Sequence, residues 1–181
     1  KIGHGGDTTI GTKSGAITVD AQGGNIEFRA GTQERAFAQL GHGSLGGSGT
    51  GSGDIDVDAS GNIIFASGGG SNNWKYAMLG HGGYNDDGAH NGAIDVNAGG
   101  AITFDSTGAA GDHNFTQLGH GGIEATGSFS GTITVLAADD ISFTAGTTLR
   151  SSSQLGHGGL NADGNHNGAI GVTSSAGTIL F

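Results

Sequence analysis

The amino-acid sequence predicts an all-β fold, a right-handed parallel β-helix (β-solenoid) of about five coils, each of 37–39 residues and three short strands. Three recurring strings predict it. Leu-Gly-His-Gly begins at Leu40, Leu79, Leu118 and Leu155, and a variant begins at Ile2. An Ile-x-Val pair begins at Ile17, Ile55, Ile94, Ile133 and Ile170. An Ile-x-Phe pair begins at Ile26, Ile63, Ile102 and Ile141, and a fifth copy is Ile179 and Phe181 around Leu180. All three keep one phase, so residues 1–181 read as a single solenoid segment of five tandem repeats, part of a longer chain or filament.

Each pair alternates apolar with polar or small residues, the two-residue period of a strand with one buried face. In the second repeat the strands fall near Ile55–Ala59, Ile63–Ala66 and residues 76–80. The corner Asp58-Ala59-Ser60-Gly61-Asn62 is tight, with Gly and Asn suited to positive φ. The corner over residues 82–92 is longer and holds Tyr84, Asp86, Asp87 and His90. One such coil cannot bury its own apolar residues. Stacked at about 4.8 Å per coil, the Ile, Val and Phe positions become internal ladders. An alternative division gives two coils of about nineteen residues per repeat, but only three strand signals recur in each.

Composition narrows the function. Gly supplies 41 residues, too many for helices, and without the three-residue period of collagen. The net charge of −10, with six Lys plus Arg, excludes nucleic acid as a partner, and no apolar run suits membrane insertion. There is no Cys, hence no disulfide scaffold and no thiolate metal site.

The run Gly-x-Ile-x-Val-x-Ala at Gly53 to Ala59, followed by Gly-x-Ile-x-Phe at Gly61 to Phe65, resembles the shaft repeats of filamentous-haemagglutinin-type adhesins and the passenger repeats of large autotransporters. The Gln-Leu-Gly-His-Gly-Gly signature at Gln117 and Gln154 is similar to repeats of that class. The resemblance covers the whole chain. It implies a right-handed β-helix, export to the cell surface or beyond, and a role in adhesion to a host or neighbouring cell, or in an extracellular filament. The leading expectation is a structural shaft segment of a secreted bacterial surface protein. The alternative is a binding module for a glycan or a divalent cation.

Four groups of residues are candidates for chemistry. His4, His42, His81, His120 and His157 stack in one column, where imidazoles can bond one another or local carbonyls. A structural ladder is the preferred reading, because one column offers too few convergent ligands for zinc. Asp86, Asp87 and His90 form a candidate cation loop, with Ca2+ as the candidate ion. Asp54, Asp56, Asp58 and Asp95 cluster on the first strand, with Asp56 and Asp95 vertically adjacent. Phe37, Tyr76 and Phe115 form a column facing away from Leu40, Leu79 and Leu118. It is either an exposed interaction column or is covered by the preceding loop through Trp74.

No grouping of Ser, His, Asp or Arg suggests catalysis, so the expectation is that the chain is not an enzyme. The irregular outward series Glu27, Ile64, Thr103, Ser142 and Leu180 argues against ice binding. Neither end carries a distinct capping segment, which leads to the expectation of self-association by end-to-end stacking.

Overall fold

The computed structural model describes residues 1–181 as a β-solenoid of about four turns, without a helix. Strands stack in parallel, and a residue's partner is its equivalent in the next repeat: Ile17, Ile55, Ile94, Ile133 and Ile170 lie one above another. The register therefore makes one repeat one coil and excludes the division into two.

Three sheets carry the expected signals. The first contains Ile17–Ala21, Ile55–Ala59, Ile94–Ala98, Ile133–Ala137 and Ile170–Ser174. The second contains Ile26–Arg29, Ile63–Ala66, Ile102–Asp105, Ile141–Thr144 and Ile179–Leu180. The third contains Phe37–Leu40, Tyr76–Leu79, Phe115–Leu118 and Ser152–Leu155. In the first sheet the β-branched Ile and Val side chains turn inward and Asp56 and Asp95 turn out, as the pleat requires.

The inner faces of the three sheets make one core. Its axis is a stack of rings, Phe28, Phe65, Phe104, Phe143 and Phe181, with centroids 4.8–5.1 Å apart and planes within 7°. Phe65 and Phe104 are wholly buried, each contributing about 1.5–3 kcal/mol before ordering entropy is subtracted.

The three-strand coil is incomplete as a description. Each repeat has a further two-residue strand, at Lys13–Ser14, Gly51–Ser52, His90–Asn91, Phe129–Ser130 and His166–Asn167. Two repeats add a strand at Gly82–Tyr84 and Gly121–Ile123. These belong to a lobe that leaves the coil after Leu-Gly-His and folds back over the outer face of the third sheet. That sheet is consequently buried on both faces, and Tyr76, Ala77, Met78 and Leu79 are all at 0% exposure. Inward lie Ala77 and Leu79; outward lie Tyr76 and Met78, in a second core with Leu45, Phe115 and Ile123.

Two columns of non-glycine residues adopt positive φ in register. Arg35, Trp74, His113 and Arg150 have φ of 58–61°, and Thr8, Asn85, Glu124 and Asn161 have φ of 49–56°. The turn repeats its geometry at each coil whatever residue occupies it, so the strain is imposed by the stack rather than chosen by the side chain.

Candidate functional site

The lobe and its neck hold most of the buried polar groups. The five ladder histidines stack with centroids 4.8–5.0 Å apart and planes within 8°. Their rings do not bond one another. The amide of each of the first four ladder histidines donates to Nδ1 of the histidine in the next coil: His4 to His42 at 2.9 Å, His42 to His81 at 2.9 Å, His81 to His120 at 3.0 Å and His120 to His157 at 3.1 Å. On the other side of the ring, Nε2 lies against a glycine carbonyl. The partners are Gly15 and Gly53 at 2.8 Å, and Gly92 and Gly131 at 3.0 Å.

These partners fix the protonation state. A carbonyl only accepts, so Nε2 carries the proton, and Nδ1 accepts and carries none. Burial pushes the imidazole of His81 down to about 4, that of His120 well below its ordinary range, and those of His42 and His157 down as well. With both nitrogens engaged, the rings of His42, His81, His120 and His157 have no lone pair to offer a metal.

The recurring string around the histidines follows from the same site. Gln39 Nε2 donates to the carbonyls of Gly80 and Gly82 in the next coil, at 3.2 and 2.8 Å. Gln117 repeats this with Gly156 and Gly158, at 3.1 and 2.7 Å. Gln of one coil thus clamps Gly-His-Gly of the next. The segment from Leu or Ile to the Ile-x-Val strand also keeps one length throughout, from Ile2 to Ile17, Leu40 to Ile55, Leu79 to Ile94, Leu118 to Ile133 and Leu155 to Ile170.

The candidate cation loop does not converge. Asp86 points into the lobe at 0% exposure, where its carboxylate accepts from Ser44 Oγ at 2.7 Å and Ser44 N at 3.0 Å. His90 Nε2 lies 3.6 Å from the same carboxylate. Asp87 points the other way, into solvent, and accepts from Thr126 Oγ1 and N. Asp86 and Asp87 are neighbours on extended chain and so face opposite sides. Room for Asp86 and His90 comes from the coil below. A Cβ on Gly51 would lie 2.7 Å from His90 Nδ1, and one on Gly47 would collide with Ser44 Oγ. Ser44, Asp86 and His90 are not a hydrolytic triad, since the carboxylate stands between hydroxyl and imidazole and all three are sealed from solvent.

The aromatic column forms, but as part of the interior. Phe37, Tyr76 and Phe115 stack at 5.2 and 4.8 Å. Tyr76 is wholly buried, Phe115 nearly so and Phe37 half-buried. Of the two readings of this column, the exposed interaction column is corrected and the covered one holds: the lobe covers it with Leu45, Tyr84 and Ile123, and Trp74 packs beside it. On the first sheet, Asp56 and Asp95 are adjacent as expected. Asp54 accepts the Ala93 amide and Asp58 accepts from Asn97 Nδ2, so half of that acidic group serves coil-to-coil bonding.

Sequence reasoning missed the partners in this site, namely the carbonyls of Gly15, Gly53, Gly92 and Gly131, the Gln39 and Gln117 clamps, and Ser44. The only available signal was the fixed company of Gly and His in each repeat, joined by Gln at Gln39, Gln117 and Gln154. Comparison with known proteins finds no match to any family model, curated protein or solved structure.

Proposed function

We propose that the chain is a structural segment, a stiff extracellular shaft or filament piece of an exported, adhesin-like surface protein. The observation that carries this reading is the register. Equivalent residues pair from coil to coil through all five repeats, so a further repeat lengthens the rod without altering its cross-section. The interior chemistry supports it as well, since the ladder histidines, Gln39, Gln117 and the Ser44–Asp86 pair each join one coil to the next. Surface depressions are small, about 220 and 240 Å³. Further coils, or a second copy, would add to either end by the same strand pairing.

Two measurements test the reading. Electron microscopy of native protein with tagged ends should show a rod whose end-to-end distance grows by about 4.8 Å for each repeat inserted. Protease treatment of intact producing cells should release the tags. Globular particles would defeat the shaft, and tags protected inside the cell would defeat the surface location.

A further inference from the structure

Each lobe is a strap over the second core, and one neutral imidazole closes its neck. Residues 43–52 form one such strap, between His42 and Gly53. The His42 amide donates to Nδ1 of His81 at 2.9 Å, and Nε2 of His81 donates to the Gly53 carbonyl at 2.8 Å. His42 joins His4 to Gly15 in the same way, His120 joins His81 to Gly92, and His157 joins His120 to Gly131. We propose that these imidazoles are proton-sensitive latches, which in mild acid release the lobes and uncover the Phe37, Tyr76 and Phe115 column while the first and second sheets stay closed.

The reason is donor–acceptor parity. A proton on Nδ1 turns the acceptor for the neighbouring amide into a second donor, and two buried donors then face each other. Beyond the glycine carbonyl already held by Nε2, no carboxylate compensates the new charge. His42 faces His4, Lys1 and Lys13; His81 faces His42, His90 and Lys1; His120 faces His81, His157 and His90; His157 faces His166. All of these are bases. The nearest buried carboxylate, Asp86, is turned to His90.

The direction with pH follows. In a closed lobe His81 takes a proton only near 4, whereas in an open lobe its ring returns to about 6.5. Opening therefore takes up a proton between these values. The closed state is fully favoured above about pH 6.5 and loses ground as pH falls toward about 4, by about tenfold per pH unit for each latch. The first and second sheets have no histidine in the core and are held by backbone bonds and apolar packing.

Hydrogen exchange on the full chain, corrected for the intrinsic pH dependence, tests this. Between about pH 7.5 and about pH 5, protection at the lobe amides of Gly82, Gly88 and His90 should fall about thirtyfold, with Ile55, Ile63, Ile94 and Ile102 unchanged. The double variant His81→Gln and His120→Gln, whose amides cannot be protonated, should lose this response. Lobes and sheets losing protection together, or lobes unchanged at about pH 5, would overturn the proposal. Should the variant not fold, ring nitrogen shifts of the native protein near neutral pH decide. Neutral rings protonated on Nε2 at His42, His81 and His120 are expected, and any other form overturns the latch.

Discussion

Gly80 sits so close to Gly119 in the next coil that a Cβ on Gly80 would lie 2.0 Å from the Gly119 carbonyl oxygen. Gly80 also has φ of 145°. Gly80→Ala meets both a backbone clash and an unfavourable dihedral, and its carbonyl neighbour cannot move without breaking the ladder. It should cost at least about 3 kcal/mol in urea unfolding. Gly171→Ala, with open space around it and no positive φ, should change stability by less than about 0.5 kcal/mol. Equal effects at the two sites would contradict the close-approach account.

Gln117→Leu preserves bulk and removes the donor to two buried carbonyls. The Gly158 oxygen keeps the Gly122 amide at 3.1 Å and the Gly156 oxygen a longer contact from Gln154 Nε2 at 3.4 Å, so each loses one donor of two and the expected loss is about 1 kcal/mol. Chemical denaturation of the single variant measures it. A neutral result would mean that the clamp contributes nothing to coil stacking.

The Phe stack should be graded by burial. Phe104→Ala opens a void between two stacked rings and should cost about 3–5 kcal/mol. Phe181, 68% exposed, has a ring contact on one side only, and Phe181→Ala should cost less than about 1.5 kcal/mol. Thermal melts of both variants would settle the order.

Asp86→Ala strips partners from the Ser44 amide and hydroxyl in a sealed site, and leaves His90 Nε2 only the backbone carbonyl of residue 86 at 3.4 Å. A loss of about 3 kcal/mol or more is expected. Calcium and chelator should leave the native melting temperature unchanged, because Asp86 is enclosed and Asp87 faces away. An ion held at a hundred times its dissociation constant would add about 2.7 kcal/mol, enough to appear as a shift of several degrees.

Arg35→Gly tests the strain in the left-handed columns. The column position demands positive φ, here 59°, which glycine adopts without penalty. A gain of about 1 kcal/mol is expected by urea titration, and a loss would show that the arginine side chain contributes more than its backbone costs.

The sequence made the first two sheets legible because Ile, Val and Phe alternate there over four or five residues, long enough to show a period of two. The lobe lacks such a signal. Its strands are two or three residues long, and in Gly82 and Gly83 there is no side chain to alternate. Without the lobe, Tyr76 and Phe115 had to be placed by alternation alone, which correctly turns them away from Leu79 and Leu118 but cannot say what lies on that side. The histidine column was visible by spacing, but its burial was not, since the strand whose alternation would place it ends at Leu40, two residues before His42. The roles of its two nitrogens were not, since they depend on a glycine carbonyl that no side chain marks.

The constant span from each Leu-Gly-His to the following Ile-x-Val strand has a genetic consequence. The other corners differ in length between repeats, so small insertions or deletions in the gene can be absorbed there. Within the latched span, a codon gained or lost would move the glycine carbonyl away from its histidine and put that repeat out of step with both neighbours. An in-frame duplication of a whole repeat disturbs no partner. A lineage carrying this protein can therefore change its length by unequal recombination between repeats while selection holds one short stretch of each repeat to a fixed count.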